Sequence, residues 1–323
     1  MNKDIKYFGI DISRLVFDVT DSDGNYYQFK NNELGFKKFS KFLNCHSHCV
    51  MEATGYYHYQ LAYHLLEFGI KVSVENPLSV KRFIQMGLSK VKTDKSDSKL
   101  ICAYAEQVEL KLWKGNSKEE IECLQIVRTL SVYTKQSTML KNKLHGEDVL
   151  GNPSKVVVRS LKRSLKQLQK EMADLEDKLL VLVKTEHQDL LTRLKTIPGI
   201  GTKTAIMLVV LTGGFDRFTN ASELCSYAGL TPIIRQSGSS VKGRPRISKM
   251  GNQKLRNLLF MCSFNACKHN KACRDLYERI VAKGKSKKLA LIAVCNKLLK
   301  QAFAIAKSGL IYDGNYKSTL VKN

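Results

Sequence analysis

Through its first hundred residues the chain switches between two spacings of apolar positions. Tyr7, Phe8, Gly9, Ile10, Asp11, Ile12 and Ser13 read as a strand holding one acid among apolar neighbours, and Leu15, Val16, Phe17, Asp18 and Val19 as a second. Asp21, Ser22, Asp23, Gly24 and Asn25 make a turn before a third strand from Tyr26 to Phe29, so the chain opens as a meander. Over 33–43, Leu34, Phe36, Phe39, Phe42 and Leu43 recur at helical spacing. A strand over 49–53, a helix over 58–68 ended by Gly69, and a strand over 71–75 stopped by Pro77 follow. Helical spacing resumes at Ser79 and runs, with a break near Lys90, to about Gln107. The order βββαβαβα predicts an α/β sheet with three antiparallel strands and parallel additions.

Beyond residue 110 the spacing is mostly helical. Ile121, Leu124, Val127, Leu130, Leu140 and Leu144 mark one helix, and Gly151, Asn152 and Pro153 a turn. Leu161, Leu165, Leu168, Met172, Leu175, Leu179 and Leu182 then recur at alternating intervals of four and three, which is a heptad seam. Such a seam serves a hairpin within the chain, an oligomerisation arm, or both. Ile197, Pro198, Gly199, Ile200 and Gly201 form a tight turn between two helices, in the outline of a helix-hairpin-helix. A polar, glycine-rich loop over 229–252 enters an apolar helix near Gln253, and 289–307 is strongly helical. The expected organisation is an α/β domain over 1–110, a helical hairpin or coiled-coil arm over 111–192, and a mainly α domain over 193–323.

Charge adds a partner to this outline. The formal net charge is +24. Residues 1–105 hold 14 Lys and Arg against 11 Asp and Glu, so nearly all the excess lies beyond the first domain. That much clustered positive charge implies a polyanion, nucleic acid before an anionic membrane. No unbroken apolar run is long enough to span a bilayer, and the first residues lack a signal-peptide core, so a cytoplasmic protein without membrane association is expected. The nine cysteines contain no C-x-x-C pair and predict buried free thiols. Cys45, His46, His48 and Cys49 are too crowded for the usual zinc spacings.

The candidate chemistry is acidic in the first domain and basic in the last. Asp94 and Asp97, three apart among lysines, share one face if a helix starts there. They either meet the helix dipole behind a Thr93 cap or hold a divalent cation such as Mg²⁺. An acid within an apolar strand is costly unless paired or metal-bound, which singles out Asp11, and Glu52 closes the fourth strand. These four carboxylates are expected to converge at the strand ends around two divalent ions, which would hold both oxygens of an in-line phosphoryl displacement. Asp18 and Glu75 are read as facing outward. In the last domain, Gly199, Gly201 and Lys203 are placed to meet a phosphate at a helix N-terminus, unless the turn is only a linker. From Leu224 to Arg274 there is no acid and there are ten Lys and Arg. Arg235, Lys242, Arg244, Arg246, Lys249 and Arg256 are the expected nucleic-acid contacts there. A serine of that loop either clamps phosphate or attacks it, with arginines stabilising the developing charge.

Together these features resemble the transposases of bacterial insertion sequences of the IS-one-hundred-and-ten type. The matching pieces are Gly9-Ile10-Asp11, Glu52-Ala53-Thr54-Gly55, Lys92-Thr93-Asp94 through Asp97, Ile197-Pro198-Gly199-Ile200-Gly201, and Ala228-Gly229-Leu230-Thr231-Pro232 through Ser237-Gly238-Ser239-Ser240. They occur in the family's order over nearly the whole chain. The resemblance implies an RNase H-like (RuvC-like) domain in which Asp11, Glu52, Asp94 and Asp97 hold Mg²⁺. It further implies that Ser237 attacks DNA to give a phosphoserine, that the metal site acts on the same phosphate from the same or another subunit, and that the protein works as a dimer or tetramer. Several members are guided by a structured bridge RNA that pairs with donor and target DNA. Two other readings compete with a recombinase. One is a Mg²⁺-dependent junction nuclease that uses the carboxylates alone. The other is an architectural nucleic-acid-binding protein, which charge alone would support.

Overall fold

A computed structural model describes residues 5–53, 55–86, 93–234, 236–237, 241–243 and 246–315, with the backbone alone at Asp94, Gln236, Ser237, Val241 and Lys242. Arg235 and Arg244, expected nucleic-acid contacts, lie outside these residues. The chain forms two compact units, 1–116 and 117–323.

The first unit carries β1 (Lys6–Ile12), β2 (Val16–Asp21), β3 (Tyr26–Lys30), α1 (Glu33–Ser40), β4 (Ser47–Glu52), α2 (His58–Glu67), β5 (Lys71–Glu75), α3 (Pro77–Met86) and α4 (Asp94–Gln107). Its strands form one sheet in the order β3-β2-β1-β4-β5. The three meander strands pair antiparallel, and β4 and β5 add parallel to β1. This is the mixed sheet that the apolar spacing predicts. Alternation divides its side chains between two faces. Phe8, Ile10, Phe17, Met51 and Val72 pack under Phe36, Phe39, Leu61 and Leu65 of α1 and α2. On the other face Val50 meets Val80 of α3 and Ile101, Tyr104 and Ala105 of α4.

The second unit contains α5 (Lys118–Val149), α6 (Lys155–Lys195), α7 (Thr202–Thr212), α8 (Ala221–Tyr227), four two-residue strands, α9 (Gln253–His269), α10 (Lys271–Ala282) and α11 (Lys287–Ser308). The strands are β6 (Pro232–Ile233), β7 (Gln236–Ser237), β8 (Val241–Lys242) and β9 (Arg246–Ile247). Helices α5 and α6 pack on each other as a hairpin. The seam residues Leu161, Leu165, Leu168, Met172 and Leu175 are half-buried there, and Leu179 and Val183 enter the main core. That core joins Cys123, Ile126 and Val127 of α5 to Leu194, Leu208, Leu259 and Leu298. By length and composition α11 could cross a bilayer, although its lysines leave no unbroken apolar run. Its Val294, Leu298, Leu299 and Ala302 are instead fully buried in the core.

The tempting Cys45–Cys49 segment is split by its strand. His48 and Cys49 project to opposite faces of β4, while Cys45 is exposed. His48 is buried and its Nε2 lies 2.9 Å from Ser73 Oγ. The Ser73 hydroxyl donates to the Lys111 carbonyl at 2.9 Å, so it accepts from the neutral His48 ring. Burial, then the nearby Lys71, push His48 down to about 4. The unfolded chain therefore binds a proton that the folded chain refuses between about pH 6.5 and 4, and stability falls as the pH drops through that window. Urea denaturation should show a loss of about 2 kcal/mol from this group between pH 6.5 and 5. His48→Gln should flatten that limb, and an unchanged pH dependence would remove the assignment.

Candidate active site

Register places the acids. Asp11 lies opposite Asp18 of β2, and Glu52 opposite Glu75 of β5. Ile10 pairs with Met51, so Asp11 and Glu52 stand side by side one position further on. Asp18, Asp11, Glu52 and Glu75 thus form one row across four adjacent strands, with neighbouring backbones about 5 Å apart. The row lies on the face that α4 covers, at the carboxyl ends of β1, β4 and β5.

Helix α4 crosses this face in near contact. A Cβ built on Gly9 would lie 2.2 Å from Cys102 N and 2.4 Å from Ser98 O, so only glycine admits the helix backbone so close to β1. Ser98 Oγ lies 2.8 Å from Thr20 Oγ1, and Cys102 Sγ points to the Tyr7 carbonyl at 3.7 Å. The helix therefore runs against the direction of β1, and its first turn lies toward Asp11 and Glu52. Asp97 is one turn before Ile101 on the stripe that faces Val50, and the backbone of Asp94 opens the helix three residues earlier. Thr93 caps the helix reciprocally with Ser96: Thr93 Oγ1 accepts from Ser96 N at 3.1 Å, and Ser96 Oγ from Thr93 N at 2.8 Å. The cap closes the turn that carries Asp94 and Asp97. Among the described residues no three His, Cys, Asp or Glu side chains meet at ligand spacing, and the Asp94 side chain lies outside the description. The residues whose chemistry would fit a divalent ion are Asp11, Glu52 and Asp97, whose hard carboxylate oxygens belong to the same face.

Asp18 and Glu75 correct an expectation. Neither faces solvent outward. Asp18 is 2% exposed and accepts from Tyr26 Oη at 2.5 Å and Gln28 Nε2 at 3.0 Å. Glu75 is half-buried and accepts from Tyr104 Oη at 3.1 Å. Burial pushes the Glu75 carboxyl up, against the Tyr104 hydrogen bond that lowers it. Their place in the row follows from strand pairing, which apolar spacing along one strand does not reveal.

In the second unit, β6 pairs with β9 and β7 with β8, giving a two-tier β-arm. Ser237 pairs with Val241, so it is the last paired residue before 238–240. The arm's base is clamped to α8: Gly251 has φ 129°, and a Cβ there would lie 2.2 Å from the Tyr227 carbonyl. Arg246 and Lys249 are exposed on the arm and just after it. Arg256 Nη1 donates to the Ala228 carbonyl at 2.9 Å and so helps hold that base. At the turn before α7, a Cβ on Gly199 would lie 2.8 Å from Ala266 Cβ, so close packing on α9 accounts for this glycine. A Cβ on Gly201 meets nothing within 4 Å, and Lys203 Nζ pairs with Glu176 at 2.6 Å. Lys254 was not foreseen as part of a cluster. Burial, then Arg128 and Lys135, hold its ammonium below the usual lysine range. Arg128 and Lys135 lie on α5 and Lys254 on α9, far along the chain, which hides the cluster in the sequence.

The contact at Gly9 is open to test. Gly9→Ala should cost about 1–3 kcal/mol in urea denaturation, because either α4 or β1 must move. Unchanged stability would show that α4 is not held as described.

Comparison with known proteins supplies the wider setting. A family profile described as "Transposase" matches residues 8–148, and one described as "Transposase IS116/IS110/IS902 family" matches residues 191–278. The pilin gene-inverting protein of Moraxella bovis is 31% identical over 323 residues, covering 95% of this chain and 97% of that one. The transposase of insertion sequence element IS1111A from Coxiella burnetii is 24% identical over 331 residues, covering 91% and 88%. The 43.6 kDa protein of insertion element IS110 from Streptomyces coelicolor is 32% identical over 158 residues, covering 49% of this chain and 38% of that one. With similarity over nearly its full length and both domain profiles in order, the chain belongs to the IS110 family of insertion-sequence transposases and is a DNA transposase/recombinase.

Proposed function

We propose that this transposase cuts and rejoins DNA through two sets of groups: the carboxylates Asp11, Glu52, Asp94 and Asp97, and the hydroxyl of Ser237. The observation that carries the first set is the side-by-side placement of Asp11 and Glu52 beneath the α4 turn that bears Asp94 and Asp97. These four would hold Mg²⁺, which when bound supplies Lewis-acid stabilisation of phosphoryl oxygens. The chain's own part is to fix the donors on a rigid strand pair and a capped helix.

Support for Ser237 is its place at the end of the paired arm and its match to the family's Ser-Gly-Ser-Ser motif. In the proposed step the Ser237 Oγ–P bond forms as one sugar–phosphate P–O bond breaks. The hydroxyl proton passes to a base, and the departing sugar oxygen takes up a proton. A sugar hydroxyl of the second strand then attacks the phosphoserine, which rejoins DNA and frees the serine. Exposed Arg246 and Lys249, with Arg235, Lys242 and Arg244, would balance phosphate charge beside the arm, and Gly201 and Lys203 would approach the backbone at the start of α7.

A structured bridge RNA as guide to donor and target DNA rests on the family resemblance. A dimer or tetramer has added support in the half-buried seam of α6 and in Val132, Met139 and Val156, which are 51–77% exposed on the hairpin. The reaction setting would be the cytoplasm.

Ser237→Ala and Asp11→Ala should each lower recombination by about 10³-fold or more, while nucleic-acid binding stays within a few-fold of wild type. Wild type should form a protein–DNA adduct on denaturing gels, and Ser237→Ala should form none. Normal strand cutting by Ser237→Ala with no adduct in either protein would favour the junction-nuclease reading. Retained binding with no cutting or rejoining, with or without divalent ions, would leave only the architectural one.

A further inference from the structure

In the second unit a groove of about 1330 Å³ runs between α10, α11 and the first tier of the β-arm. Helical spacing builds two of its walls. Ala272, Asp275, Leu276 and Arg279 lie at intervals of three and four on one face of α10. On α11, Lys288, Ile292, Asn296 and Lys300 repeat every four residues, beside Leu289, Ala293 and Lys297. The third wall is Pro232 of β6 with Arg246 and Ile247 of β9, the strands that lead into and out of the Ser237 arm. Lys249, just beyond β9, completes the rim.

The charge is one-sided. Six cations, Arg246, Lys249, Arg279, Lys288, Lys297 and Lys300, face a single acid, Asp275, among the described lining residues. All six are exposed. The floor is aliphatic, built from Leu276, Leu289 and Ile292. No aromatic ring lines it among the described residues, so it offers no platform for stacking bases.

We infer that this groove is the seat of a DNA strand, the one whose phosphate is delivered to Ser237. Its cations neutralise successive phosphates along the rim, and its aliphatic floor takes the deoxyribose faces. Deoxyribose suits these aliphatic side chains better than ribose, whose 2′-hydroxyl would lose its water against them; Asn296 and Ser286 are the neutral polar groups of the lining. The contacts are to backbone and sugar, so the groove positions a strand without reading its sequence. The inference rests on the serine reading for the strand's destination, but its binding test does not.

The test uses the full-length protein and fluorescence anisotropy with a labelled oligodeoxynucleotide and the oligoribonucleotide of the same sequence. The variant Arg279→Gln/Lys297→Gln/Lys300→Gln should bind DNA about 10-fold more weakly at 150 mM salt. Its log–log salt slope should fall by about 2–3, one contact per lost cation. RNA affinity should fall less than DNA affinity, and the melting temperature should be unchanged, because the three side chains are exposed. Lys297→Arg/Lys300→Arg should keep wild-type DNA binding, and Ser237→Ala should too, which separates failure of the groove from failure of the serine chemistry. Lys37→Gln/Lys38→Gln on α1 serves as the control for generic loss of charge. DNA affinity and salt slope unchanged in the triple variant would overturn the inference. So would a larger loss for RNA than for DNA, or an equal loss in the α1 control.

Discussion

The unit that carries the row of carboxylates depends on how closely one helix can approach one strand. Over Gly9 the backbone of α4 comes nearer to β1 than any Cβ would allow. That contact fixes the height and direction of the helix over the sheet. Its first turn, with Asp94 and Asp97, then lies beyond Ser98 toward the strand ends where Asp11 and Glu52 stand. Four carboxylates on one half-buried face repel each other, and an apolar surrounding strengthens that repulsion. The fold offsets the cost locally for the outer two: Tyr26 and Gln28 donate to Asp18, and Tyr104 donates to Glu75. The inner two, Asp11 and Glu52, stand side by side at the carboxyl ends of β1 and β4. The row is thus a sheet property as much as a set of residues.

The basic half works differently. Its large core, from Leu194 through Leu208 and Leu259 to Leu298, takes the apolar side chains of almost every helix, including the roots of the long hairpin. The cations are left on the surface, where only a polyanion gathers them. Near the β-arm, glycines set the frame: Gly251 seats the arm against α8, and Gly199 seats the turn before α7 against α9. A Gly-x-Gly turn that invites a phosphate reading thus also answers to packing. Lys203 has a carboxylate partner in Glu176, and Arg256 a carbonyl partner in Ala228. Arg256 thereby helps hold the base of the arm, Lys203 remains exposed beside its partner, and Arg246 and Lys249 are exposed beside the arm.

Apolar spacing marked most of the elements in their order, although the stretch over 229–252 read as a loop and gave no sign of β6 to β9. Periods of two and of about 3.6, punctuated by Gly69, Pro77 and Gly151, depend only on neighbours along the chain, and so the meander, the later parallel strands and the long helical hairpin were all legible. The sequence also marked Asp11, Glu52, Asp94 and Asp97, because acids inside or beside apolar runs stand out locally. Asp18 and Glu75 did not stand out, since their neighbours in the row come from other strands and the partners that satisfy them, Tyr26 and Tyr104, from other elements. The same holds for Lys254 with Arg128 and Lys135, and for the groove between α10, α11 and β9. Register, close approach and shared walls are relations between segments far apart in the chain, and only tertiary packing decides which of them meet.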